Sequence, residues 1–427
     1  MIYKQSIFNN WYNFNSKRYL YNSLSGYFGI VDDEMYNAIK NIEKEDINNK
    51  KFELLISKRI IVNKDLNEEI QIKTLEKDEI YNKFSTSRSF VISTTRNCNY
   101  KCKYCFESEK NNLVDMDEKT QQQTIEFIKK SLKNNTNCKN LNITWFGGEP
   151  LLNKQCIISI SKELIKYCEN NKIKYSASII TNASLIDDKF ASLLQDLRIN
   201  SVQITFDGNE KEYCEYKQTT LHNYNKAKEA IFLTLKNAKV NLRLNTDFKN
   251  YESIKKFVSQ LVPEIQKNNL ENKITFYLAP IDNENTKYMY SKQFVECNND
   301  FLEFLYNNGL YSSIKNALHQ PRIIPCESLR RGNYVIDSNG NLHKCEHYIG
   351  NDNVSIGNVK DGSYYSINEK KFLDYTAKCE RCSVYPICHG GCMQKTIDKN
   401  IKMDCENFKL DLKNKLYWYT KIRSMEA

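Results

Sequence analysis

The stretch Cys98-Asn-Tyr-Lys-Cys102-Lys-Tyr-Cys105 follows directly on the β-branched run Val91-Ile92-Ser93-Thr94-Thr95. A strand that runs into a cysteine-studded loop suits a metal cluster held at the C-terminal mouth of a β/α barrel. Three thiols leave a four-iron cluster one protein ligand short, and an open iron is a place for chemistry. Structural zinc sites close four ligands and often include histidine, which this loop lacks. Incidental or redox thiols are the competing reading, and the motifs further along the chain count against it.

A chain of 427 residues has room for two to three domains and a large core. Its fifteen cysteines are clustered. Met1–Phe14 has aromatics and asparagines but no apolar h-region, and no apolar run approaches the roughly 18 residues that span a bilayer. Cysteines without export signals point to metal binding and not to disulfides, so the expected location is cytoplasmic and no membrane partner is expected. The net charge of +10 is spread out, with no basic block interleaved with aromatics, so nucleic acid is not an expected partner. The charge reads as a solvated basic surface or as attraction for an acidic peptide.

Arg18–Asp32 reads as a β-hairpin around Ser25-Gly26. Asp32-Asp33 can cap a helix carrying Met35, Ile39 and Ile42; a second helix is expected over Phe52–Lys58 and a strand at Ile60-Ile61-Val62. This order resembles the winged-helix peptide-recognition elements fused to peptide-modifying enzymes. Asn63–Lys83 is polar and without a strong period, and reads as a connection.

Strands and helices then alternate. The expected strands are Phe90–Thr95, Leu141–Phe146, Tyr175–Thr181, Ser201–Phe206, Val240–Asn245 and Ile274–Ala279. A helix from about Asp117 presents Ile125, Ile128 and Leu132, and one from Lys154 presents Ile157, Ser161, Leu164 and Cys168. Repeated β-then-α units imply a parallel α/β sheet with active residues on the loops after the strands. Those loops carry Gly147-Gly148-Glu149-Pro150, Thr181-Asn182 and Asp207-Gly208, and Arg243 lies inside the fifth strand. The glycines allow close backbone approach, Glu149 can accept from an ammonium, and Arg243 facing inward needs an anionic partner. Asn283–Gln320 reads as helical, with Phe294, Phe301, Phe304 and Leu305 on its apolar face.

The C-x3-C-x2-C loop, with Tyr104 before and Phe106 after its last cysteine, resembles that of radical S-adenosylmethionine (SAM) enzymes. The resemblance implies a partial (β/α)6 TIM-like barrel and a 4Fe-4S cluster on Cys98, Cys102 and Cys105. Its open iron would bind SAM and cleave it reductively to a 5′-deoxyadenosyl radical. It further implies SAM contacts from Tyr104, Phe106, Gly147, Gly148, Glu149, Pro150, Thr181, Asn182, Asp207 and Arg243.

A second cysteine field comprises Cys326, Cys345, Cys379, Cys382, Cys388, Cys392 and Cys405. It resembles the SPASM extension of radical SAM enzymes that modify peptides, which holds two auxiliary 4Fe-4S clusters. By that family's pairing, Cys379, Cys382, Cys388 and Cys405 hold one cluster, and Cys326, Cys345 and Cys392 the other. Seven cysteines for eight corners leave one ligand missing. Leu318–Arg322 has no cysteine, so the eighth ligand is another residue, one of Cys138, Cys156, Cys168, Cys214 and Cys297, or a substrate thiolate. The expected domains are 1–83 (lobe and linker), 84–282 (barrel), 283–325 (helical bridge) and 326–427 (iron–sulfur SPASM domain). The implied activity is crosslinking of a ribosomally made precursor peptide, by thioether first and carbon–carbon bond next, with electrons from an external donor such as flavodoxin or ferredoxin. The rivals are a sulfatase-type maturase forming formylglycine, where Glu346 stands for that class's aspartate, and a non-catalytic peptide-binding or electron-carrying protein.

Overall fold

The computed structural model describes residues 2–44, 50–82, 85–107, 114–281, 291–318, 320–363, 368–401 and 403–426. The chain divides into two compact units: Met1–Asn82 with Leu318–Arg330 and Ile367–Ala427, and Lys83–Ala317 with Arg331–Ser366.

The second unit is built on six parallel strands in chain order: β1 (Ser87–Ser93), β2 (Asn140–Phe146), β3 (Lys174–Thr181), β4 (Ile199–Phe206), β5 (Lys239–Thr246) and β6 (Ile274–Pro280). Every expected strand lies within or overlaps one of these. Alternate residues on one face are apolar and shut away, such as Leu141, Ile143 and Trp145 of β2 and Val240, Leu242 and Leu244 of β5. They match the apolar stripes of the intervening helices, where Ile125 and Ile128 on Glu118–Lys133 and Ile157, Leu164 and Cys168 on Lys154–Asn170 are also fully buried. Asp117 and Asn153 cap these two helices by accepting from Thr120 N and Cys156 N, which fixes where each begins.

The opposite face is polar. Thr144 meets Ser178 at 3.1 Å, Asn241 donates to Ser201 at 2.9 Å, Thr275 to Asn241 at 2.6 Å, and Tyr277 to Gln203 at 2.9 Å. A parallel sheet covered on both sides carries near-continuous apolar runs, whereas this one keeps a hydrogen-bonding face with room for a polar ligand.

The expected boundary at residue 326 is not where the chain changes units. A short strand, β7 (Tyr334–Ile336), pairs in parallel with β1, and β8 (Leu342–His343) pairs antiparallel with β7, so Arg331–Ser366 extends the large sheet. The expected helical bridge contains Lys292–Asn307 and Tyr311–Ala317; residues 282–290 fall outside the described ones. Phe294, Phe301 and Leu305 are buried, but Phe304 stays partly exposed against Phe301, because it lies one residue off the stripe.

The first unit contains the expected hairpin, as Lys17–Asn22 pairs antiparallel with Phe28–Ile30, and a further strand, Asn9–Phe14, completes a three-stranded sheet. Asp32 caps the helix Asp33–Lys40 through Met35 N. The second helix runs Lys50–Ser57, and Ile61–Asn63 pairs with Tyr3–Gln5. Asn63–Lys83 is not a connection throughout: Glu68–Tyr81 is a helix of 14 residues. Its buried stripe is Glu68, Ile72, Glu76 and Ile80, and two glutamates among four positions hide the apolar period. The C-terminal helix, Cys405–Glu426, packs Tyr417 edge-on to Phe14 and donates from Arg423 to the Phe28 carbonyl at 3.0 Å. Among the described residues no helix is long and apolar enough to cross a membrane.

Candidate active site

The cysteine loop leaves β1 and is held at many points by backbone. Thr94 N donates to Phe146 O at 3.1 Å, Met116 N to Thr94 O at 2.9 Å and Arg96 N to Val114 O at 3.0 Å. Lys101 N and Lys103 N reach the carbonyls of Lys217 and Tyr216 on the helix Glu210–Lys217 at 3.3 and 2.9 Å. Asp115 accepts from Thr95 Oγ1 and, at 2.9 Å, from Asn97 Nδ2. The loop is therefore shaped by protein contacts, and its thiols need not organise it. Burial pushes Cys102 up to about 11, the nearby Lys217 ammonium working against this; metal binding must therefore displace a proton there.

Gly147 and Gly148 explain why no side chain is tolerated after β2. Gly147 has φ +136°, and a Cβ there would lie 2.2 Å from Thr95 O. A Cβ on Gly148 would lie 2.4 Å from Asn97 O. The close approach expected of these glycines is thus to the cysteine loop itself, sealed by Gly148 N to Thr95 O at 3.1 Å and Glu149 N to Asn97 O at 2.8 Å. Gly148→Ala is expected to cost about 1–3 kcal/mol by overpacking against backbone that cannot rotate away. It should lower iron uptake at this loop, read by anaerobic reconstitution and thermal melting; an alanine variant with unchanged iron and melting temperature would contradict this packing.

Glu149 is almost fully buried and its carboxylate is engaged by the chain. It accepts from Thr181 Oγ1 at 2.7 Å, Asn182 N at 2.8 Å and Leu151 N at 3.0 Å. Burial pushes its pKa up and these three donors pull it back. The side chain therefore ties β2 to β3 instead of standing open as a simple acceptor. Asn182 in turn donates to Asn99 in the cysteine loop at 2.8 Å, so Thr181-Asn182 also braces that loop.

Asp207 departs most from expectation. It is fully buried, Oδ1 accepts from Tyr104 OH at 2.6 Å, and Oδ2 lies 3.1 Å from Lys217 Nζ as an ion pair outside hydrogen-bond geometry. In this structure the carboxylate is turned inward, to Tyr104 and Lys217. Lys217 carries no motif signature; it ends the helix Glu210–Lys217 and folds back to donate to Thr205 Oγ1 at 2.8 Å. Burial disfavours its ammonium, but Asp207 outweighs this and lifts its pKa. Tyr104 also accepts from Asn245 Nδ2 at 3.0 Å, and Asn245 Oδ1 accepts from Arg243 Nε at 3.0 Å. One polar chain thus runs from Arg243 on the open sheet face to the buried pair. Phe106 is exposed beside His347, with ring centroids 4.3 Å apart, and Pro150 is buried at the start of a short 3-10 turn.

The radical SAM superfamily model matches residues 92–257, which hold the cysteine loop, the glycine turn, Asp207 and Arg243. The radical SAM cyclopropyl synthase TigE of Paramaledivibacter caminithermalis is 25% identical over 414 residues, covering 88% of this chain and 83% of that protein. A cysteine-type anaerobic sulfatase-maturating enzyme of Clostridium novyi is 24% identical over 363 residues, covering 76% and 94%. The structure of Streptococcus suis SuiB bound to precursor peptide SuiA aligns with TM-score 0.50 and 18% identity, covering 92% and 95%. The chain is an enzyme with a radical SAM domain.

A carboxylate-bearing ligand fits the residues present at Arg243, whereas Glu149 is already engaged by the chain. Arg243, partly exposed on the polar face, has no carboxylate partner among the described residues, and buried Glu149 has no ion-pairing cation among them. The C-terminal cysteines are accessible: Cys326, Cys392 and Cys405 are exposed, and Cys345, Cys379, Cys382 and Cys388 partly so. Cys326 and Cys392 belong to the first unit and Cys345 to the second. Cys138, Cys156 and Cys168 are core residues, which removes them as spare ligands. Cys214 and Cys297 are partly exposed, and His319 falls outside the described residues. Among the described residues no three His, Cys, Asp or Glu side chains converge on an ion-sized point, so cluster ligation rests on spacing and family.

Proposed function

We propose that this radical SAM enzyme matures a ribosomally made precursor peptide by closing a bond at a carbon centre, through a partial (β/α)6 barrel and a C-terminal SPASM field. The observation that carries the reading is the polar face of the sheet whose first strand runs into the cysteine loop, which would meet a peptide backbone in hydrogen bonds. Cys98, Cys102 and Cys105 would hold a 4Fe-4S cluster, which would supply the electron for reductive cleavage of SAM. Arg243 would hold the SAM carboxylate, Glu149 and Asn182 keep the loop in place, and Phe106 and Tyr104 would contact the cofactor. The hairpin lobe engages part of the peptide, as the peptide-bound SuiB structure encourages. An external donor such as flavodoxin or ferredoxin supplies electrons.

The ligand count favours a thioether. With Cys138, Cys156 and Cys168 in the core, the eighth auxiliary corner would fall to Cys214, Cys297, a non-cysteine residue or a peptide thiol. A peptide thiol at the eighth would lose its proton on binding iron and be held near the reacting carbon. Similarity to TigE across most of the chain supports carbon–carbon bond formation as the second reading. Glu346 lies beside Cys345, 3.9 Å from its sulfur, and keeps a carboxylate where the formylglycine reading needs one. Anaerobic reaction with the precursor, alkylation by iodoacetamide and tandem mass spectrometry separate the three. A thioether removes two hydrogens and one alkylatable thiol. Loss of two hydrogens with every thiol still alkylated would overturn the thioether in favour of a carbon–carbon bond, and loss of two hydrogens together with exchange of sulfur for oxygen would indicate formylglycine.

A further inference from the structure

Behind Cys379, Cys382 and Cys388 lies a buried charged network contributed by the N-terminal helix Glu68–Tyr81, within one compact unit. Lys73 Nζ uses all three of its donors, on Glu76 Oε2 at 2.9 Å, Thr376 Oγ1 at 2.9 Å and Tyr385 OH at 2.8 Å. Glu76 is fully buried, and its Oε1 accepts from Tyr385 OH and faces His389 Nδ1 at 3.4 Å. His389 Nε2 lies 3.0 Å from Arg322 O. Around this network Phe8, Ile72 and Tyr385 form an apolar cluster against which Cys379 and Cys382 pack. Asn10 and Ser383 exchange bonds at 3.0 and 2.6 Å, between the two cysteine pairs of the field.

Such a network is costly to bury, and a peptide-recognition lobe that folded alone would not need it. Among the described residues, the hydrogen-bond partners of Lys73 and Glu76 outside their own helix are Thr376, Tyr385 and His389, which flank or interleave Cys379, Cys382 and Cys388. We propose that Lys73 and Glu76 are positioning residues for the Cys379, Cys382, Cys388 and Cys405 set, so that the N-terminal lobe is the scaffold on which this cluster site is folded. The inference rests on reading these four cysteines as cluster ligands. The Lys73 ammonium is also fixed on Tyr385, the residue against whose cluster Cys379 and Cys382 pack. A fixed cation near a cluster thiolate stabilises the more negative, reduced state.

The test uses the full chain, reconstituted anaerobically, in four forms: wild type, Glu76→Gln, Lys73→Met and Cys379→Ala. Iron and sulfide content and electron paramagnetic resonance of the reduced clusters are read together with SAM cleavage driven by dithionite. Glu76→Gln is expected to lose about one third of the iron, as one cluster of three, while the SAM-binding signal and basal cleavage persist. Lys73→Met, which keeps the apolar stem, is expected to shift the midpoint potential of the affected signal to more negative values. Full iron with unchanged signals and potential in both variants would overturn the inference. So would loss of all clusters together, which would show a global role. Cys379→Ala separates the two claims: if it keeps all its iron, the ligand assignment itself fails; if it alone loses iron, only the positioning role fails.

Discussion

Replacing Cys98, Cys102 and Cys105 together with alanine will abolish 5′-deoxyadenosine formation while leaving iron on the C-terminal cysteines. The loop keeps its path without sulfur, because its anchors are backbone contacts to Phe146, Val114, Tyr216 and Lys217. The variant therefore folds, and what it lacks is the three thiolates that hold a cluster with one open iron. Without an electron delivered at that iron, activity falls below detection instead of declining by a modest factor. With the two auxiliary clusters proposed above, labile sulfide should fall by about one third. Wild-type yield of 5′-deoxyadenosine from the triple variant would refute the assignment of this loop.

Lys217→Met is expected to be the most destabilising single change near the site. Lys217 and Asp207 are 2% and 0% exposed, so the pair is hardly screened by water. Removing one partner strands a buried carboxylate, which typically costs about 3–5 kcal/mol. In a unit of this size each kcal/mol lowers the melting temperature by about 2–4 °C. The drop should disturb the loop as well, because Tyr104 shares Asp207 and Lys101 N bonds to the Lys217 carbonyl. The double variant Lys217→Met/Asp207→Asn leaves no stranded charge and should recover a good part of the loss. Differential scanning calorimetry of both decides it. A double variant less stable than the single would show that the pair is not what holds this corner together.

The cluster loop and the six parallel strands were legible because their signals are local. Three cysteines within eight residues and β-branched runs at strand ends need no knowledge of the rest of the chain. Glycine turn chemistry was legible too, although what presses on Gly147 and Gly148 is the neighbouring loop. Hidden features depend on distant partners. Glu68 and Glu76 occupy core positions and break the helical period, since each is buried only because Ser6, Tyr385 and His389 meet it. β7 is three residues long and gains its place by pairing with β1 from far away in sequence. Lys217 looked like one more surface lysine among the 62 basic residues of the chain. Asp207 looked like a turn residue open to ligand, and only that lysine turns it inward.

Anaerobic incubation of the reconstituted enzyme with SAM, a strong reductant and its precursor peptide tests the central claim most directly. Chromatography and mass spectrometry would follow 5′-deoxyadenosine and the peptide in the same sample. The account calls for 5′-deoxyadenosine formed in step with a peptide that has lost two hydrogens, both absent without SAM. A peptide left unchanged while 5′-deoxyadenosine accumulates only at the peptide-free rate would contradict it.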